Sequence, residues 1–184
     1  MKNAFVLVGL AVLGGAILLY NSLIALRQLV KNAWADVDVY LKRRAELIPN
    51  LVAAVKGYAS HEQALLEALA TARSEAIGAR SSGERVAAES AVSHELVQVL
   101  MLSENYPDLK ATENFSQLQR ELAETERHIA SARQYYNACV RDLNTRIESF
   151  PSNLMAALLA LKPQPFFEVD SLSEREAPSV ARPV

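Results

Sequence analysis

The residues best suited to metal chemistry in this chain are its three histidines and their acidic neighbours. His61-Glu62 and His94-Glu95 each place a carboxylate beside an imidazole. Neither extends to a His-Glu-x-x-His or Glu-x-x-His spacing, which would put two ligands on one face of a helix. Glu124 and His128 stand four apart on a predicted helix, and we interpret them as an exposed polar pair. The sequence therefore predicts no metal site.

The single cysteine, Cys139, is the next residue whose type could do chemistry. It lies on an apolar helical stripe with no histidine near it in sequence, so we interpret it as a packing residue. One cysteine excludes an intramolecular disulfide and a cysteine-rich zinc or iron–sulfur site. The chain also lacks a glycine-rich phosphate loop and a nucleophile elbow. We predict no catalytic residues, no cofactor and no enzymatic activity, and a metal-dependent enzyme is the weakest alternative.

Aromatic side chains are the remaining candidates for binding. Trp34 and Tyr136 fall on apolar stripes, where aromatic residues usually belong to the core. Tyr40 and Tyr135 lie beside those stripes, so we predict that these two form an interaction surface for another helix. A ligand-binding alternative would need a pocket between helices near Tyr58, His61 and Tyr106.

The charge of the chain is nearly balanced, with 19 Lys and Arg against 21 Asp and Glu, a net charge of -2. Proteins that track phosphate backbones concentrate far more positive charge, so we predict no nucleic-acid partner. Apolar residues make up 51% of the chain, which is typical of a folded protein rather than a disordered one.

The apolar residues are concentrated at the N-terminus, where no charged residue lies between Lys2 and Arg27. A helix over residues 4–26 would be ~34 Å long, enough to cross a hydrocarbon core of ~30 Å. We predict a transmembrane anchor over residues 1–26, with the lipid bilayer as its partner. Its predicted core residues are Phe5, Val6, Leu7, Leu10, Val12, Leu13, Ile17, Leu18 and Leu19.

The alternative for this segment is a cleaved signal peptide. Gly14-Gly15-Ala16 has the small residues of a cleavage site, but cutting there would leave apolar residues at the new N-terminus. Arg27 and Lys31 follow the span, and the positive-inside bias then favours a cytoplasmic C-terminal domain.

The rest of the chain has the three-to-four spacing of apolar residues that predicts packed helices and coiled coils. The first stripe is Val30, Trp34, Val37, Leu41, Ala45, Ile48, Val52, Val55 and Ala59. The second is Leu65, Leu69, Ala72, Ala76, Val92, Leu96 and Val99, with a predicted loop or frayed kink at residues 80–84. The third is Phe115, Leu118, Leu122, Thr125, Ile129, Ala132, Tyr136, Cys139, Leu143, Ile147 and Phe150.

Several residues predict how these helices begin, bend and end. Pro49 lacks a backbone donor and predicts a kink rather than a break, because the stripe keeps its phase beyond it. Asn114 is the predicted N-cap of the third helix, and Ser152 that of a short helix over residues 153–161. The basic triplet Lys42-Arg43-Arg44 is interpreted as a solvated face or as partners of acidic residues.

No segment shows strand alternation, so the predicted fold is all-α. Three long helices joined by short turns predict an antiparallel helical bundle over residues 27–162. Four of the seven prolines lie in residues 163–184, which predicts an extended, partly disordered tail.

Several sequence blocks resemble the LemA family of bacterial membrane proteins. They are Asn32-Ala33-Trp34-Ala35-Asp36-Val37-Asp38, Leu41-Lys42-Arg43-Arg44, Leu47-Ile48-Pro49-Asn50-Leu51-Val52, Val55-Lys56-Gly57-Tyr58-Ala59, His61-Glu62, residues 103–111, Ala132-Arg133, Tyr136-Asn137 and residues 150–154. The resemblance runs from about Tyr20 to Phe167. It implies one N-terminal transmembrane helix followed by an antiparallel helical domain, and it implies no catalytic residue or cofactor. Tyr40 departs from the glutamine expected there, and the tail after Val169 is not recognisable.

These observations predict a membrane-anchored helical scaffold or interaction protein of the bacterial cell envelope, placed in the inner membrane as a single-pass protein. Helix packing predicts that it forms homo-oligomers. The alternative is a ligand- or stress-sensing helical domain tethered to the membrane, whose small-molecule ligand is unknown.

Overall fold

Helices are the only regular secondary structure in residues 1–167, which are the residues that this computed structural model describes, apart from the side chains of Lys2 and Ser82. The predicted all-α fold is therefore confirmed. The helices are α1 (Lys2–Lys56), α2 (Gln63–Gly78), α3 (Ser82–Leu102), α4 (Pro107–Lys110), α5 (Glu113–Glu148) and α6 (Ser152–Leu158), with a 3-10 turn at Ser103–Asn105. The second predicted long helix is thus two helices, α2 and α3.

Helix α1 is unbroken over 55 residues and contains Pro49 in its interior. In the described part of the chain it is the one helix long and apolar enough to cross a membrane, with a mean hydropathy of 2.1 over an 18-residue window in which no residue is buried. The predicted anchor residues Phe5, Val6, Leu7, Leu10 and Val12 are all exposed. A lipid environment would cover apolar side chains that water does not favour.

The described residues form two compact units, and the boundaries between them fall inside α1 and α5. The first, which we call the anchor unit, contains residues 1–47 and 117–167. The second, which we call the hairpin unit, contains residues 48–116.

In the anchor unit, α1 and α5 are antiparallel. Arg44 on α1 pairs with Glu126 on α5, and Trp34 on α1 packs against Tyr136 on α5. The second contact lies ten residues earlier on α1 and ten residues later on α5, so the two helices run in opposite directions. The buried side chains of α5 in this unit are those of the predicted third stripe, with Val140 added: Leu118, Leu122, Thr125, Ile129, Ala132, Tyr136, Cys139, Val140 and Leu143. That stripe is confirmed as far as Leu143.

The predicted stripes are wrong at several positions. On α1, Ala33 and Arg44 are buried, whereas Trp34 and Ala45 are only half-buried. Phe150 is exposed, because α5 ends at Glu148 and leaves Phe150 outside its last turn. On α2, in the hairpin unit, the buried residue is Leu66 rather than Leu65.

The hairpin unit contains the end of α1 and the packed pair of α2 and α3, which are joined by only three residues. Its buried residues include Leu51 and Val55 on α1, Leu69 on α2, and Leu96 on α3. The predicted loop at residues 80–84 contains a capping box instead of a frayed kink. The Glu84 amide donates to Ser81 Oγ, and the Ser81 amide donates to the Glu84 carboxylate, so two helix-end donors are satisfied.

Two predicted caps are also corrected. Helix α5 begins at Glu113, and the Phe115 amide donates to Thr112 Oγ1 at 3.3 Å, so Thr112 is the N-cap rather than Asn114. Ser152 makes no cap for α6. Its hydroxyl instead lies 2.7 and 2.9 Å from the carbonyl oxygens of Arg146 and Ser149, between which its one proton is shared, and so closes the C-terminal end of α5.

After α6, residues 163–167, which we call the strap, return along α5 without regular secondary structure. The amide and carbonyl of Gln164 both bond to the side chain of Asn144, and those of Phe167 both bond to Asn137. Tyr136 also donates to the carbonyl of Pro165 at 3.1 Å. The predicted tail begins at residue 163, so the strap is its first part, and it is bonded to α5 rather than loose. The remainder of the predicted tail, residues 168–184, lies outside the described residues.

Candidate functional site

The two predicted interaction residues, Tyr40 on α1 and Tyr135 on α5, line the same groove in the anchor unit. The groove has a volume of about 420 Å³. Its other lining residues are Asp36, Val39, His128, Ser131 and Ala132. The structure therefore brings together two residues that lie 95 positions apart in the sequence.

The lining residues follow helical spacing. On α1, Val39 and Tyr40 stand three and four residues after Asp36, which places both beside Asp36 on one face of the helix. On α5, His128, Ser131, Ala132 and Tyr135 do the same over two turns. Only the two tyrosines were predicted from the sequence, although the same spacing beside the core stripes marks the other lining residues.

Tyr40 is held in place by a stacked ring. Its centroid lies 4.9 Å from that of His128, and the two rings are nearly parallel, with an angle of 8° between them. His128 Nε2 also lies 3.7 Å from Glu124 Oε1, and both side chains are about half exposed. These are the residues interpreted from the sequence as an exposed polar pair, and the structure places them so. The stack gives Tyr40 a fixed position at the groove wall.

Tyr135 has a different neighbour, the buried thiol of Cys139 one turn further along α5. The interaction of its hydroxyl with Cys139 raises the pKa of Tyr135 above its usual value, and the carboxylate of Asp36 adds to the effect. A phenol is neutral at physiological pH without any such shift, so the Tyr135 hydroxyl can donate a hydrogen bond. Cys139 lies in the core of the anchor unit, where sequence analysis placed it as a packing residue.

The groove exposes apolar surface. Val39 and Tyr135 are both among the large exposed hydrophobic residues of the chain. Such residues on adjacent helices form a patch whose removal from water is favourable. Polar groups are added by Asp36, His128 and Ser131 and by the hydroxyls of the two tyrosines. The arrangement suits the packing of a helix or another apolar surface better than the chemistry of a reaction.

The residues of the predicted ligand pocket lie in the hairpin unit. Tyr58 and His61 are exposed, and Tyr106 is half-buried. A depression of about 220 Å³ in this unit is lined by Val52, Lys56, Gln63, Leu66, Glu67 and Ala70, so it includes none of those three.

Metal ligands are not clustered in the described part of the chain. No group of three or more His, Cys, Asp and Glu side chains within residues 1–167 is arranged to hold a metal ion.

Comparison with known proteins adds a family and two relatives. A family model described as the LemA family matches residues 33–181. Two proteins of Paramagnetospirillum magneticum, the magnetosome proteins MamQ 2 and MamQ 1, are each 21% identical to the chain over 175 residues. The match covers 81% of the chain and 64% of each relative, so the chain spans less than two thirds of their length.

Proposed function

The chain belongs to the LemA family, and from this premise we propose that it is a membrane-anchored helical scaffold of the bacterial cell envelope that self-associates and catalyses no reaction. The inferred partners are the lipid bilayer and further copies of the chain. The inferred location is the inner membrane, crossed once.

The observation that carries this proposal is the continuity of α1. Residues 3–20 are almost wholly apolar and none of them is buried, and the same unbroken helix then contributes Val30, Val37 and Leu41 to the core of the anchor unit. A continuous helix leaves no flexible linker between the exposed apolar segment and the packed residues. The bilayer would therefore fix the position of the groove relative to the membrane surface, as a scaffold requires.

Self-association is supported by the groove and by the anchor itself. Two copies held in one membrane meet at a high local concentration, so a modest apolar patch is enough to join them. In the anchor, Gly9, Gly14 and Gly15 each face open space, where a second helix could approach the backbone closely.

A photo-crosslinking amino acid at Val39 tests this proposal in native membranes. We expect discrete dimers or larger multimers, and we expect their yield to fall in the variant that combines Tyr40→Ser with Tyr135→Ser. The matched control places the same crosslinker at Arg127, an exposed position of α5 outside the groove. Chains that remain monomeric at high density in the membrane would refute self-association.

The side of the membrane is a separate inference. Arg27 and Lys31 follow the apolar segment, and the positive-inside bias then favours a cytoplasmic C-terminal domain. A single cysteine at Arg80, in a Cys139→Ala background, would then resist an impermeant thiol reagent added to spheroplasts. Labelling of that cysteine in intact spheroplasts would show that the C-terminal domain lies on the opposite side of the membrane.

A further inference from the structure

We propose that residues 150–161, which contain α6, form a second membrane contact beside the point where α1 leaves the bilayer, and that this contact prefers anionic phospholipid headgroups. We call these residues the α6 collar. The proposal rests on the membrane anchor proposed above and adds the part of the anchor unit that would lie on the membrane surface.

The antiparallel register of α1 and α5 sets the depth of the collar. Trp34 packs against Tyr136, and further toward the N-terminus Leu26 lines one depression with Thr145 and Ser149. Ser149 directly follows the end of α5, and Leu26 is the last residue of the uncharged segment. The chain therefore enters the collar at the level where the predicted span ends.

The returning chain lies at the same level. Ala160, Leu161 and Lys162 share a second depression with Arg27, the first charged residue after the span. Leu23, inside the uncharged segment, is fully buried. Other parts of the anchor unit therefore already pack against the last turn of the apolar segment.

The collar presents apolar side chains to its surroundings. Leu154 and Leu158, four residues apart on α6, are 65% and 80% exposed, and Phe150, which precedes the helix, is 81% exposed. Ser152 and Ala156, on the opposite face of α6, are buried. A short amphipathic segment of this kind, at the level of the headgroups, matches the interfacial segments of membrane proteins, whose apolar face enters the acyl boundary.

The charges at this level complement an anionic surface. The basic residues that line the two depressions are Arg27, Arg141, Arg146 and Lys162, and the one acidic lining residue is Asp142. Exposed Glu148 is a second acidic residue close by in the sequence. Arg141 and Arg146 come from more than a hundred residues after Arg27 in the sequence. Basic residues within a Debye length of about 8 Å from the headgroups are attracted by phosphatidylglycerol and similar lipids.

The test uses the full chain with Cys139→Ala, reconstituted as one chain per lipid nanodisc so that a second copy cannot cover the collar. An environment-sensitive fluorophore is attached to a single cysteine introduced as Leu154→Cys. Val12→Cys reports the span, and Glu67→Cys, on an exposed position of α2, reports water. We expect the Leu154 label to show blue-shifted emission and to lose quenching by aqueous iodide, as the Val12 label does.

The outcomes separate the two proposals. If the Leu154 label is quenched as strongly as the Glu67 label while the Val12 label is protected, the collar proposal is wrong and the anchor stands. If the Val12 label is also quenched, the membrane anchor itself is refuted, and the collar proposal, which rests on it, is refuted with it. If the Leu154 label is protected only when two chains share a nanodisc, its partner is a second copy and the lipid contact is refuted.

A charge-matched pair of variants tests the headgroup preference. Nanodiscs of phosphatidylcholine alone are compared with nanodiscs that also contain phosphatidylglycerol. We expect the label at position 154 to lie deeper in the bilayer when the anionic lipid is present. The variant with Arg141→Gln and Arg146→Gln should lose this increase in depth. The control variant, Arg120→Gln with Arg127→Gln, removes the same charge from exposed α5 positions outside the collar and should retain it. Equal label depth in both lipids would refute the preference.

Discussion

The guanidinium of Arg44 is completely buried, and its Nη1 donates a hydrogen bond of 2.8 Å to Oε1 of Glu126. The carboxylate partner stands on α5, and its side chain is 36% exposed. A buried cation must be neutralised nearby, because transfer from water to the protein interior is costly. This pair therefore fixes α1 against α5 within the anchor unit at one register.

Replacing Glu126 with alanine should destabilise the anchor unit by about 1–3 kcal/mol, the range for a charged hydrogen bond whose partner stays buried. Glu124→Ala is the matched control. It removes a carboxylate two residues away whose partner, His128, is exposed, and it should cost less than about 0.5 kcal/mol. Urea midpoints of the detergent-solubilised chain measure both. Equal losses in the two variants would contradict the special role of Arg44.

The hydrogen bonds of the strap to α5 predict that Asn137→Ala lowers stability and changes the fluorescence of Trp34. Asn137 is part-buried and both donates to and accepts from the backbone of Phe167, whose ring lies 6.0 Å from that of Trp34. Asn137→Ala should cost about 1–3 kcal/mol, since two hydrogen bonds are lost together. Trp34 is the single tryptophan, so its fluorescence should shift to the red as the strap detaches.

The exposed residue Asn32 gives the control for this measurement. Its side chain accepts one hydrogen bond from Gln28 on the surface of α1, so Asn32→Ala should leave the emission of Trp34 and the stability almost unchanged. Unaltered emission in the Asn137 variant would show that the strap stays in place without these bonds.

Periodicity predicted the helices well because burial of an apolar stripe is a local property of the sequence. It failed where a distant partner decides the outcome. No apolar pattern selects Arg44 as a core residue, since its burial depends on Glu126, 82 residues away. The strap was likewise predicted as a loose tail, because only the folded structure places Asn137 and Asn144 against its backbone.

The groove lined by Tyr40 and Tyr135 was likewise predicted only in part. The exclusion of Tyr40 and Tyr135 from the apolar stripes predicted that they lie at the edge of the core, and they do. That the two share one groove follows from the antiparallel register of α1 and α5, which the sequence does not specify. The stacking of Tyr40 on His128 depends on this register as well.

The capping box at the start of α3 predicts a dependence on pH. Hydrogen bonds from the amides of Arg80 and Ser81 lower the pKa of Glu84 below its ordinary value of 4.5. A carboxylate with a depressed pKa in the folded state stabilises the fold above pH 4.5, and this contribution is lost as the pH falls through the lowered pKa. Acidification should therefore loosen the first turn of α3.

Comparison with Glu84→Gln isolates that contribution. The wild-type thermal midpoint should exceed that of the variant at neutral pH, and the difference should shrink as the pH falls below 4.5. Glu75→Gln, at an exposed site in α2, removes the same charge and should show no such convergence. A difference between wild type and Glu84→Gln that is constant with pH would contradict the role of the carboxylate.

A substitution after α6 should stabilise the protein. Ala160 has a φ of 49°, in the left-handed region where a Cβ atom is unfavourable and glycine is not. The Leu161 amide donates to the carbonyl of Ala156, a bond typical of the turn that ends a helix with a left-handed residue. Ala160→Gly should therefore raise the free energy of unfolding by about 0.5–1 kcal/mol.

Three residues earlier, the same exchange should have the opposite sign. Ala157 is an exposed residue inside α6, where glycine costs about 0.5–1 kcal/mol through the added freedom of the unfolded chain. Urea midpoints of Ala160→Gly and Ala157→Gly should thus move in opposite directions from the wild type. Because both variants remove one methyl group from the same short segment, a shared direction would mean that lost side-chain contacts outweigh the backbone conformation at residue 160.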